Sequence, residues 1–161
     1  MRHRHIGILV GIVGLVAGMA TMFVGTVLAT PGKDFGLEIL GSATLDPFRL
    51  HQPGFTIRSK DATDVVMGEL TIEVGGHTGW HTHPGPTFVT VAEGRVEVTI
   101  LTKNGCTKEA FGPGDGFAEA GNEVHIARNV GTERVVAFVT FLAVPAPDGE
   151  ILDPTPADPG C

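Results

Sequence analysis

From residue 30 onward the sequence consists of short stretches in which apolar and polar residues alternate, cut at close intervals by pairs of turn formers. Val66, Leu70, Ile72 and Val74 share one parity, with Glu69, Thr71 and Glu73 on the other. In "RVEVTIL", Val96, Val98 and Ile100 oppose Glu97 and Thr99. "TFVTVA", "GDGFAEA", "EVHIARNV" and "ERVVAFVTFLAV" continue the series. Alternation with a period of two fits a strand with one buried face and fits a helix badly. The breaks fall at Gly75-Gly76, Pro84-Gly85-Pro86, Glu93-Gly94, Asn104-Gly105, Gly112-Pro113-Gly114, Ala120-Gly121-Asn122 and Gly131-Thr132. Asn104-Gly105 is the strongest hairpin signal, because a type I′ turn needs positive φ at both central residues. Many short strands at this spacing predict an all-β sandwich or barrel.

The barrel is expected over residues 55–144, preceded by a linker and first strand over 30–54. Residues 145–161 carry five prolines and read as an extended tail that cannot enter a ladder. The start of the chain is of another kind. Residues 1–5, "MRHRH", are basic, and residues 6–29 run for 24 residues without a charge. A basic start, an apolar stretch and Val27-Leu28-Ala29 make up an export signal. The stretch is also long enough to span a bilayer as a helix, with Arg2 and Arg4 on the cytoplasmic side. Residues 1–29 are therefore expected to form a signal or anchor helix, and the rest of the chain to lie outside the cytoplasm, secreted or membrane-anchored.

With Arg2 and Arg4 set aside, nine basic residues face eighteen acidic ones. No Lys/Arg cluster exists to meet phosphates, so a nucleic-acid partner is excluded. Contact with a membrane is expected only through residues 6–29, if they stay attached. In an oxidising compartment Cys106 and Cys161 are expected to pair, pinning the tail to the domain. The alternatives are two free thiols or a bond from Cys161 to another chain.

The stretch "GWHTHPGPTFVTVAEG" carries the chemistry. Residues i and i+2 of a strand point the same way, so His81 and His83 project together. His125, in "EVHIARN", arrives from a later strand. Two imidazoles from one strand and one from another can meet at a single ion with positions left open.

These residues resemble the cupin superfamily, the double-stranded β-helix or jelly-roll barrels. The motif G-x5-H-x-H-x3,4-E-x6-G is matched by Gly75, His81, His83, Thr87 and Gly94, and G-x5-P-x-G-x2-H-x3-N by Gly114, Ala120, Asn122, His125 and Asn129. The resemblance covers about residues 55–144. It implies a cupin barrel with His81, His83 and His125 as ligands of a divalent metal ion (Fe, Mn, Ni or Zn). Two departures stand out. Thr87 replaces the family's glutamate ligand, so no carboxylate is offered there, and Ala120 and Asn122 replace turn residues. Three neutral imidazoles would leave the ion its whole charge. On that reading Thr87→Glu tightens metal binding and Thr87→Val changes little.

Several other residues are weighed against surface or core roles. His77 is expected at the rim. Glu123 shares parity with His125 and is a candidate inward carboxylate. Trp80 is expected to face outward or to cap the barrel mouth, and Arg128 to lie at the surface or meet an anion. Phe88, Phe117, Phe138 and Phe141 read as core, and Glu93 as solvated. The chain has no tyrosine, which argues against the His/Tyr acid–base chemistry that the resemblance associates with metal-free sugar epimerases. Three readings remain: a metal-dependent small-molecule enzyme of dioxygenase type, a non-catalytic extracellular module for a small molecule or metal, and a barrel with vestigial histidines. The expected partner is a small-molecule ligand, with a homodimer left open.

Overall fold

The computed structural model describes residues 31–144, 151–155 and 159–161. Among them every regular element is a strand. No helix of the described residues is long and apolar enough to cross a membrane, and the signal or anchor segment expected at 1–29 lies outside them. The strands are β1 (Lys33–Leu45), β2 (Arg49–Gln52), β3 (Phe55–Arg58), β4 (Thr63–His77), β5 (His81–Thr82) and β6 (Thr87–Glu93). They continue with β7 (Val96–Thr102), β8 (Gly105–Phe111), β9 (Gly116–Glu119), β10 (His125–Asn129), β11 (Val135–Leu142) and β12 (Asp153–Pro154).

Antiparallel pairing places β9, β6, β11, β4 and β1 side by side. The run β8, β7, β10, β5 and β12 forms a second face. The long strand β4 belongs to both, because Arg128 of β10 pairs with His77 at its end. This is the expected all-β jelly-roll barrel, and β2–β3 stands apart as a small hairpin. Most of β1 pairs with β4, so the segment before residue 55 supplies a full-length strand of the barrel.

The bend in β4 accounts for two departures from the sequence reading. Gly75 and Gly76, expected as a turn, lie inside the strand where its register with β1 shifts. Gly75 takes φ 75°, a conformation that costs glycine little. A Cβ on Gly76 would lie 2.6 Å from the Asp34 carbonyl oxygen. The irregularity breaks the alternation, and Val74 is left exposed instead of buried. Beyond it the chain turns onto the second face and delivers the histidine pair.

The β7–β8 hairpin forms as expected, but with different turn chemistry. Thr102 pairs with Gly105, so Lys103 and Asn104 are the central residues. Asn104 does not take a positive φ, whereas Gly105 does at 113°. The turn is therefore not type I′. The Thr102 hydroxyl closes it, donating to the Gly105 carbonyl at 2.8 Å and accepting from Asn104 N–H at 3.3 Å.

The interior divides into two apolar clusters. One holds Val66, Val89, Ala137, Val139, Phe141 and Val144; the other holds Ile72, Val91, Val96, Ala127 and Val135. Phe141 is core as expected, and half-buried Phe117 packs against both clusters. Phe88 and Phe138 are not core: they are 45% and 46% exposed, because the alternation of β6 and β11 turns them outward from Thr87, Val89 and Val139. The motif asparagine, Asn129, is a buried tie. Its amide donates to the Ile72 and Glu133 carbonyls at 2.9 and 2.8 Å and accepts from Gly131 N–H at 2.9 Å.

The tail departs most from expectation. Asp153 and Pro154 pair with Thr82 and His81, so β12 extends the sheet beside the histidine strand. Thr155 N–H donates to the Trp80 carbonyl at 3.0 Å. Cys106 and Cys161 form the expected disulfide, with Cα atoms 6.1 Å apart.

Candidate metal centre

Strand β5 is only two residues long, yet it fixes the orientation of the pair. His81 and His83 are buried and Thr82 between them is half-buried, as a strand facing the barrel interior requires. His125 lies directly across from His81 in the β10–β5 pairing. The three ring centroids are 4.8 Å (His81–His83), 4.3 Å (His81–His125) and 5.0 Å (His83–His125) apart. One ring nitrogen of each lies within 4.8 Å of the others. Two nitrogens bound to one ion are at most about 4.2 Å apart, so small inward movements of the rings bring all three into range.

The outer ring nitrogens decide what the inner ones can do. Nδ1 of His81 faces the Gly79 carbonyl at 2.9 Å, Nδ1 of His83 the Ile151 carbonyl at 2.8 Å, and Nδ1 of His125 the Glu123 carbonyl at 2.8 Å. A carbonyl oxygen only accepts, so each Nδ1 carries the proton. Each neutral ring then directs its Nε2 lone pair inward, which is the arrangement that fixes tautomer and aim in histidine metal sites.

The surroundings of His81 and His125 favour their neutral forms. Burial, with the nearby His125 adding to it, lowers the His81 pKa to about 3. The His125 pKa is also lowered, chiefly by burial and against the pull of Glu119. The sign of the effect on stability follows. As pH falls below about 6.5 the unfolded chain protonates His81 while the fold resists it. His81 therefore contributes stability that is complete above about pH 6.5 and declines at up to about 1.4 kcal/mol per pH unit towards the folded value. The metal-free protein is expected to melt at progressively lower temperature from pH 6.5 to pH 4, with a shallower slope in His81→Ala. Equal slopes in calorimetric scans of the two proteins would contradict this.

One carboxylate at the site was not anticipated. Glu119 of β9 is only 6% exposed. Its Oε1 lies 3.1 Å from Nε2 of His125, and its Oε2 lies 3.4 Å from Nε2 of His83. A sequence signal for it exists in "GDGFAEA", where Glu119 shares strand parity with the inward-facing Phe117. The carboxylate proposed from parity with His125 does not enter the centre. The Glu123 side chain instead accepts from Ala120 N–H at 3.4 Å, closing the turn before β10. Asn122 in that turn takes φ 60°, a left-handed conformation that asparagine tolerates, where the family motif has glycine.

The remaining candidates also find places. His77 lies away from the three rings and accepts from Gly79 N–H at 3.1 Å. Trp80 does not line the cavity beside the three rings; it is fully buried. The Arg128 guanidinium stacks over it, 5.6 Å from the ring centroid, and donates to the Thr99 hydroxyl at 3.4 Å. Thr87 is buried, and its hydroxyl makes no hydrogen bond.

The rings and Glu119 border a cavity of about 30 Å³ whose other walls include Leu37, Leu70, Val89, Phe117, Val139 and Leu152. That exceeds the roughly 10–15 Å³ a cavity needs to hold a water molecule. Phe141 closes the far side of His83 at a centroid distance of 5.1 Å.

Residues 68–141 match the sequence profile of the family described as Cupin domain. No curated protein matches the chain. Among solved structures it is similar to Peruvianin-I, a cysteine peptidase from Thevetia peruviana latex, at 23% identity and TM-score 0.48, over 56% of this chain and 57% of that one. It is also similar to oxalate decarboxylase from Bacillus subtilis, at 20% identity and TM-score 0.46, over 48% of this chain and 21% of that one. The chain thus spans well under two thirds of either neighbour.

Proposed function

We propose that the protein binds one divalent metal ion through His81, His83 and His125, on the premise that residues 68–141 match the Cupin domain family and that the three histidines stand close enough to share an ion. The observation that carries this reading is the set of three Nδ1–H donations to backbone carbonyls. They leave three Nε2 lone pairs aimed into one small cavity. Lone pairs brought together without a proton or cation between them repel, and a buried acceptor without a partner costs about 1–3 kcal/mol. A divalent ion satisfies all three at once. Fe, Mn, Ni and Zn all accept imidazole, and an ion bound here would act as a Lewis acid towards a ligand in an open position.

The size of the cavity bears on what else binds. The small cavity, about 30 Å³, favours a small ligand beside the ion over a bulky organic substrate. The reading supported best is therefore a metal-binding module whose open position takes water or a similarly small molecule. A dioxygenase-like enzyme acting on a larger substrate would need β12 and Leu152 to move aside. The Cys106–Cys161 disulfide is consistent with a site of action outside the cytoplasm, and the basic start and apolar run of residues 1–29 support export.

The test is elemental analysis of the purified protein, followed by chelation and titration with Mn(II), Fe(II), Ni(II) and Zn(II) at pH 7. One equivalent of a divalent ion per chain, with a rise in melting temperature on binding, is the expected result. A chain that takes up none of the four ions would refute the proposal.

A further inference from the structure

We infer that Glu119 is a fourth ligand of the same ion, supplied by β9 in place of the carboxylate that β6 lacks at Thr87. This rests on the three-histidine reading and adds to it a residue that lies outside the family's ligand positions. Thr87 and Glu119 are direct cross-strand partners in the β6–β9 pairing. Thr87 shares the inward face of β6 with Val89, so a carboxylate on either partner strand is brought to the same end of the barrel interior. The carboxylate has moved one strand sideways.

The geometry fits a ligand of the same ion. Ligands at right angles around one ion, each about 2.1 Å from it, lie about 3 Å apart. Oε1 of Glu119 stands 3.1 Å from His125 Nε2, and its other oxygen, Oε2, stands 3.4 Å from His83 Nε2. Both nitrogens present lone pairs, because their Nδ1 atoms hold the ring protons. An ionised carboxylate also only accepts. Acceptors facing acceptors at this distance are stabilised by a cation held among them. A bound ion would then carry one negative ligand, so the centre does not retain the full divalent charge that three histidines alone would leave.

The assignment changes what a glutamate at position 87 would do. In the unchanged chain Thr87→Glu sets a second carboxylate opposite Glu119, and the tighter binding expected from the sequence is lost to repulsion. In a chain without Glu119 the same substitution restores the missing charge.

The experiment titrates the full chain with Mn(II) and Co(II), recording affinity and the Co(II) absorption spectrum, for the unchanged protein, Glu119→Gln, Thr87→Glu/Glu119→Gln and Thr87→Val. Expected are a loss of at least tenfold in Mn(II) affinity and a shifted Co(II) band in Glu119→Gln, recovery of affinity in the double variant, and no change in Thr87→Val. Unchanged affinity and an unmoved Co(II) band in Glu119→Gln would overturn the assignment while leaving the three-histidine site intact. No binding of either ion by the unchanged protein would overturn both. If Glu119→Gln fails to fold, Glu119→Asp carries the same test: its shorter carboxylate must move the Co(II) band, and an unmoved band refutes ligation.

Discussion

Replacing His125 with alanine is expected to reduce divalent-metal affinity by two orders of magnitude or more, about 3 kcal/mol. His81→Ala should show a loss of the same order. His125 is the most enclosed of the three rings, 1% exposed, and it touches every other part of the centre. It pairs with His81 across β10–β5 and meets the Glu119 carboxylate. Without it Glu119 keeps only His83, and the ion loses a neutral donor that nothing nearby replaces. Some of the damage will be structural, since truncating a buried ring leaves a void and an underpaired carboxylate. Melting curves with and without metal separate the two effects. The variant should melt lower than the unchanged protein and gain almost nothing when metal is added. A metal-induced rise equal to that of the unchanged protein in both His81→Ala and His125→Ala would place the ion elsewhere and end the cupin-site reading.

The histidine triad was legible in the sequence because its geometry is local. A strand fixes the relation of His81 to His83 by parity alone, and spacing in the second motif marks His125. The Cys106–Cys161 bond was legible for a similar reason, as two cysteines in a chain with an export-like start. Contributions that depend on which strands become neighbours were harder to read. Glu119 counts as a site residue only once β9 is known to lie beside β6 with Glu119 opposite Thr87. Parity favoured Glu123 instead, but that residue sits in a turn before β10, where parity does not apply. The bulge at Gly75 defeated the alternation in the same way, by changing the face of Val74. Prolines in the tail argued against any ladder. Two residues suffice for β12, however, and they fall on a short edge where the loss of one N–H is tolerated.

That tail supports the second large effect. Deleting residues 145–161, or replacing both Cys106 and Cys161 with serine, is expected to weaken metal binding although neither change removes a ligand. The Ile151 carbonyl accepts the Nδ1–H of His83 at 2.8 Å, the only one of the three outer hydrogen bonds that comes from a distant part of the chain. Ile151 also packs against the core, Leu152 forms part of the cavity wall, and β12 flanks β5. With the tail gone His83 loses the acceptor that fixes its tautomer, and the cavity gains a path to solvent. Loss of such an outer partner costs about 10–100-fold in metal affinity, and the deletion should fall in that range. The double serine variant keeps the tail but frees its end. The disulfide spans a sequence separation of 55, and in the chain-entropy model a loop of that size is worth about 4 kcal/mol of stability. That variant should therefore melt well below the oxidised protein and lose metal affinity by less than the deletion does. Serine in place of both cysteines also avoids free thiols that would bind the titrating ion themselves. Measured by competition with a chelator at pH 7, equal affinities in the deletion and the unchanged protein would show that the tail does not orient His83.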